Sequence, residues 1–131
     1  MAPSHHLGEL QFAIMRVLWD AREATVAQVH EGLPDERARA LTTIATMLTK
    51  MEKKGVVTHR AQGRQYVYRP IVSESAVHRS MVAELTQRLF QGDVTALVNH
   101  LISEQDIDAD ELGRLRKLIE EREQEEQGDE R

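Results

Sequence analysis

The sequence has 131 residues, 40% of them hydrophobic and only 4% aromatic, with a formal net charge of −5; this suits one domain, or two small ones, around a mainly aliphatic core. There is no cysteine, which excludes disulfides, thiol redox chemistry and cysteine-based zinc fingers. No apolar run reaches membrane-spanning length and no signal peptide opens the chain, so a cytoplasmic protein without membrane insertion is expected.

Residues 1–6 read as a disordered tail; its adjacent His5-His6 pair could bind metal, but in a flexible end such a pair is far more often incidental. Leu7, Leu10, Ile14, Val17 and Leu18 follow the helical period and predict a first helix over residues 7–22. Phe12, Met15 and Trp19 widen its buried surface. Thr25-Val26-Ala27-Gln28 is a capping box that starts a short second helix, with Val26, Val29 and Leu33 turned inward and a brief strand at residues 24–25. Pro34-Asp35-Glu36 ends it in a loop. Arg37 and Arg39 stand just before the next helix, placed either to meet a phosphate backbone or to serve as ordinary loop charges.

Residues 40–55 predict a third helix with two unlike faces. Leu41, Ile44, Leu48 and Met51 recur at helical spacing as an apolar stripe. Thr42, Thr46, Thr49, Lys50 and Lys53 fall opposite, flanked by Thr43 and Lys54, and Glu52 is the only acid in the segment. Short hydroxyl side chains let a helix approach base edges closely, and lysines further on reach phosphates. Gly55 stops the helix. By itself this pattern also fits a solvated surface helix.

The following residues shift that balance. Residues 56–61 and 65–70 are β-prone runs around Gln62-Gly63-Arg64, closed by Pro70, and predict a β-hairpin. Tyr66 and Tyr68 share one face of it, and Arg60 and Arg64 flank the turn. Helix, helix, helix, hairpin is the order of a winged helix-turn-helix, with the third helix as reader and the hairpin as wing. Charge supports this. Residues 35–69 carry eight Lys/Arg against three Asp/Glu, inside a chain that is acidic as a whole. A local basic block points to a local anionic partner.

Ser73 caps a predicted fourth helix reaching residue 90, with the stripe Val77, Met81, Leu85 and Leu89. Gly92-Asp93 breaks it and caps a fifth helix over residues 94–104, apolar on more than one side through Val94, Leu97, Val98, Leu101 and Ile102. Asp108 opens a sixth helix to about residue 124, with Leu112, Leu115, Leu118 and Ile119. These stripes outnumber the surfaces available to cover them, which predicts a homodimer interface.

Taken together, the chain resembles the penicillinase-repressor family, the BlaI/MecI type that also contains the CopY repressors. The residues carrying the resemblance are Leu7-Gly8-Glu9-Leu10, Ile14-Met15 and Leu18-Trp19 in the first helix, and Thr42-Thr43-Ile44-Ala45-Thr46-Met47-Leu48 with Lys53-Lys54-Gly55 in the third. Tyr66-Val67-Tyr68-Arg69-Pro70 at the wing and Leu89-Phe90-Gln91-Gly92-Asp93 with Leu97-Val98 complete it, over about residues 7–120. The resemblance implies a dimeric repressor on an inverted-repeat operator of double-stranded DNA. It also implies release by cleavage in the C-terminal region through a membrane sensor metallopeptidase system. It implies reader residues Thr42, Thr43, Ala45 and Thr46; Ala45 stands where some members carry arginine. The aligned cleavage pair is His100-Leu101, with Asn99 one place before the position where the lactamase branch has asparagine.

The expected architecture is therefore mainly α with a small β-hairpin wing: a winged helix-turn-helix over residues 7–71, a three-helix dimerisation region over 72–124, and a disordered tail over 125–131. The expected DNA contacts are Arg39, Thr42, Thr43, Ala45, Thr46, Lys50, Lys53, Arg60 and Arg64. The expected dimer contacts are Val77, Met81, Leu85, Leu89, Val94, Leu97, Val98, Leu101, Leu112, Leu115, Leu118 and Ile119. No catalytic grouping, phosphate loop or metal-ligand spacing occurs, and no cofactor is expected. The alternative reading is a winged-helix protein-interaction adaptor without DNA binding, which acid on the reader face or the wing would favour; neither is found.

Overall fold

The computed structural model describes residues 7–34 and 39–129. The expected tail at residues 1–6, Arg37, and the last two residues lie outside them. The elements run α1 (Glu9–Ala21), β1 (Ala24–Thr25), α2 (Val26–Gly32), α3 (Leu41–Lys54), β2 (Val57–Gln62), β3 (Gln65–Pro70), α4 (Glu74–Phe90), α5 (Val94–Glu104) and α6 (Ala109–Asp129). The chain divides into two compact units between Leu85 and Thr86.

The first unit is a winged helix. Its sheet is antiparallel with order β1-β3-β2, so the hairpin borrows the short β1 as a third strand. Thr25 both ends β1 and caps α2. Its Oγ1 accepts from the Gln28 amide at 3.2 Å, and the Gln28 side chain accepts from the Thr25 amide at 2.9 Å. Two orphan donors of the helix start are thus satisfied reciprocally.

The core forms where the apolar stripes converge. Ile14, Met15 and Leu18 of α1, Val29 of α2, and Ile44, Leu48 and Met51 of α3 are fully buried, with Val56 and Val57 closing the base of the wing. Burying each such side chain contributes roughly 1.5–3 kcal/mol. Trp19 lies at the core's edge, where its indole N–H donates to the Val72 carbonyl at 3.0 Å. That bond fastens the segment after the wing back onto α1.

Two side chains expected at a dimer interface belong to this core instead. Val77 is fully buried and Met81 packs against the same cluster. The expected boundary after residue 71 therefore moves to Leu85, because the N-terminal part of α4 completes the first unit. Leu41 departs in the opposite direction. It was expected in the buried stripe of α3, yet it is 51% exposed. It lies in the first turn, before the helix meets the body of the core.

The second unit is helical. Asp93 Oδ1 accepts from the Ala96 amide at 3.0 Å to start α5, and Asp108 Oδ1 accepts from the Glu111 amide at 2.8 Å to start α6. α5 contains no buried residue, and the described side chains of α6 are all exposed. α6 runs on to Asp129, so the stretch expected to be disordered from residue 125 is helical through 129. Glu, Gln and Arg are good helix formers. Arg122 also reaches Glu125 at 3.9 Å and Glu126 at 3.7 Å, pairs that add a few tenths of a kcal/mol each. No helix among the described residues is long and apolar enough to cross a membrane.

Candidate nucleic-acid interface

α3 presents the polar face expected of it. Its first turn holds no acid and its last turn holds Lys53 and Lys54, an arrangement that complements the helix dipole at the C-terminus and keeps the N-terminus open to anions. Thr42, Thr43, Thr46, Lys50 and Lys53 are exposed, and Ala45 is half-buried among them. Gly55 ends the helix at φ +85°, and the amides of Gly55 and Val56 return to the carbonyls of Glu52 and Met51 at 3.0 and 3.2 Å. This closure turns the chain directly into β2.

The wing is fixed against that helix through His59, a side chain that the sequence did not single out. Glu52 Oε1 accepts from His59 Nδ1 at 2.6 Å, and the His59 ring stacks on Tyr66 with centroids 4.2 Å apart. Tyr68 hydrogen-bonds Thr49, whose own hydroxyl donates to the Ala45 carbonyl at 3.0 Å. Burial pushes the Tyr68 phenol above its ordinary value, Glu52 and Tyr66 add to the rise, and the Thr49 bond opposes it. Tyr68 is therefore neutral at physiological pH and serves as a structural hydrogen-bonding group.

A groove results between the two parts. Thr42, Ala45 and Leu41 of α3, Thr25–Ala27 at the start of α2, and Arg64, Gln65 and Tyr66 of the wing line it. It brings together three expected contacts, Thr42, Ala45 and Arg64. Arg64 sits at the exposed tip, where Gly63 takes φ +62° as the first central residue of a two-residue turn. Arg60 is not brought to this side. It pairs across the ladder with Val67, on the sheet face opposite His59 and Tyr68, and its guanidinium is held by Glu23 and Gln62, both at 2.9 Å. Lys54 points back to α1, donating to Gln11 Oε1 at 2.9 Å. Arg39 is exposed just ahead of α3, outside the lining of the groove.

The second unit carries the remaining expected residues. Leu89, Val94, Val98, Leu101, Leu112, Leu115, Leu118 and Ile119 are exposed there, Leu97 is half-buried, and Leu85 is exposed at the end of the first unit. Val82, in the first unit, is exposed as well; it lies beside the stripe the period picks out. His100 and Leu101 are exposed on α5, with the His100 ring 5.8 Å from that of Phe90.

The chain is similar to known proteins over most of its length. The penicillinase repressor family model matches residues 7–121. The transcriptional regulator BlaI of Mycobacterium tuberculosis is 35% identical over 121 residues, spanning 91% of this chain and 86% of that protein. The penicillinase repressor of Bacillus licheniformis is 24% identical over 115 residues, 88% of this chain and 90% of that one. The solution structure of the DNA-binding domain of the repressor BlaI aligns with a TM-score of 0.49 at 29% identity, covering 57% of this chain and 92% of that domain. Because the match extends across both units, this chain is a member of the penicillinase repressor family.

Proposed function

We propose that this protein represses transcription by binding an inverted-repeat operator in double-stranded DNA as a homodimer, in the cytoplasm. The observation that carries the reading is the exposed, acid-free face of α3, set beside a wing whose tip is Arg64. Thr42, Thr43, Ala45 and Thr46 read base edges, while Arg39, Lys50, Lys53 and Arg64 meet phosphates. Arg60 is a lesser contact, since Glu23 already engages it. The apolar side chains left exposed from Leu85 to Ile119 join two copies. Two winged units held together then read half-sites roughly 34 Å apart, or a small multiple of that.

Release follows from the same arrangement. A cut at His100-Leu101, made through a membrane sensor metallopeptidase system, would divide α5 and separate α6 from the rest of the chain. The winged units would survive but bind singly, without the effective concentration that tethering supplies. Selection of sequences from a randomised duplex pool by the full-length chain tests the binding half. Enrichment of a palindromic sequence is expected, and a pool that stays random contradicts the reading.

A further inference from the structure

We infer that Leu41 is a base-reading residue that receives the 5-methyl group of a thymine, an inference that rests on the DNA-binding reading above. Leu41 belongs by spacing to the apolar stripe of α3. The other three members, Ile44, Leu48 and Met51, are completely buried, and Leu41 alone is 51% exposed. Its side chain therefore contributes little to the core and faces the groove between α3 and the wing.

The groove lining is of mixed chemistry. Leu41, Ala45 one turn later, Val26, Ala27 and Tyr66, itself 52% exposed, make its apolar part. Thr25, Thr42 and Arg64 make its polar and basic part. Phosphates and sugars need only the polar and basic part. The apolar group that a DNA duplex offers in its major groove is the thymine methyl, and apolar side chains are what recognise it. Leu41 also stands in the first turn of the helix, and it is the N-terminal residues of a reader helix that approach base edges. Tyr66 is held in place by its stack on His59, which is in turn bound to Glu52 of the same helix. The apolar lining from the wing and that from α3 are thus fixed relative to each other before DNA arrives.

The test takes the duplex most enriched by the full-length chain and replaces its thymines one at a time with deoxyuridine, which lacks only the methyl group. Binding is followed by fluorescence anisotropy. One position per half-site is expected to weaken about fourfold, the equivalent of one buried methyl at ~0.8 kcal/mol. At that position Leu41→Ala should bind the thymine and deoxyuridine duplexes alike, while Leu41→Met keeps the difference. The inference is overturned if no position responds to methyl removal, or if Leu41→Ala preserves the thymine preference everywhere. Either result leaves operator binding standing. A chain that enriches no sequence at all removes the DNA-binding reading, and this inference with it.

Discussion

Glu52 of α3 and His59 of β2 are joined by a 2.6 Å contact between Oε1 and Nδ1. The only acid of α3 is thus turned away from the basic face and used to hold the wing. Both side chains are about one-third exposed, so their mutual contribution is modest, about 0.5–1 kcal/mol after solvent screening. Its larger effect is positional, because His59 carries Tyr66 on its ring. Glu52→Ala is expected to leave the fold intact by circular dichroism, lower the urea midpoint slightly, and weaken operator binding severalfold. Unchanged operator affinity would show that the wing needs no such anchor.

Tyr68 gives the chain an alkaline weakness. Its folded pKa lies above the ordinary 10.0, so the unfolded chain releases the proton first as pH rises. The stabilising contribution is complete below pH 10.0 and is lost as pH climbs through the higher folded value. Urea unfolding of the native chain should therefore lose stability above that point more steeply than Tyr68→Phe does. Parallel pH profiles would contradict the burial argument.

Much of this architecture was legible because its signals are local. Capping side chains at Thr25, Ser73, Asp93 and Asp108 mark helix starts within four residues, and the observed bonds are the expected ones. What stayed hidden depended on distance. Periodicity says which face of α4 is apolar, but not that Val77 faces the first unit's core while Leu89 remains exposed. Leu41 fits the α3 stripe as well as Ile44 does, and only the position of the first turn relative to the core separates them. The Glu52–His59 pair joins a helix to a strand, a contact that neither helical nor strand period can indicate. The extension of α6 to Asp129 reflects helix formers continuing past the last apolar residue, where amphipathic pattern gives no guidance.

The division at Leu85 predicts a separable half. The first unit contains every residue of the buried hydrophobic cluster, so a fragment of residues 1–85 should fold. It should sediment as a monomer and bind the selected duplex far more weakly than the full chain, because the second half-site is no longer tethered. A dimeric fragment would move the interface into the winged unit.

Cleavage has a mechanical test independent of any natural protease. A protease site inserted between His100 and Leu101 keeps the chain whole until it is cut. After cutting, the protein should become monomeric and release a full operator while retaining weak binding to a half-site. If the cut protein stays dimeric with full operator affinity, the switch lies elsewhere.

The central claim is that α3 is the reader, and one titration addresses it directly. The full-length chain and its Thr42→Ala/Thr46→Ala/Lys50→Ala variant are compared on the selected duplex and on a scrambled duplex of the same composition. All three positions are exposed, so the variant should keep the native circular dichroism spectrum. The native chain should prefer the selected duplex by about a thousandfold or more, and the variant should bind both duplexes weakly and nearly alike. An undiminished preference in the variant would contradict the assignment of α3 as the reading helix.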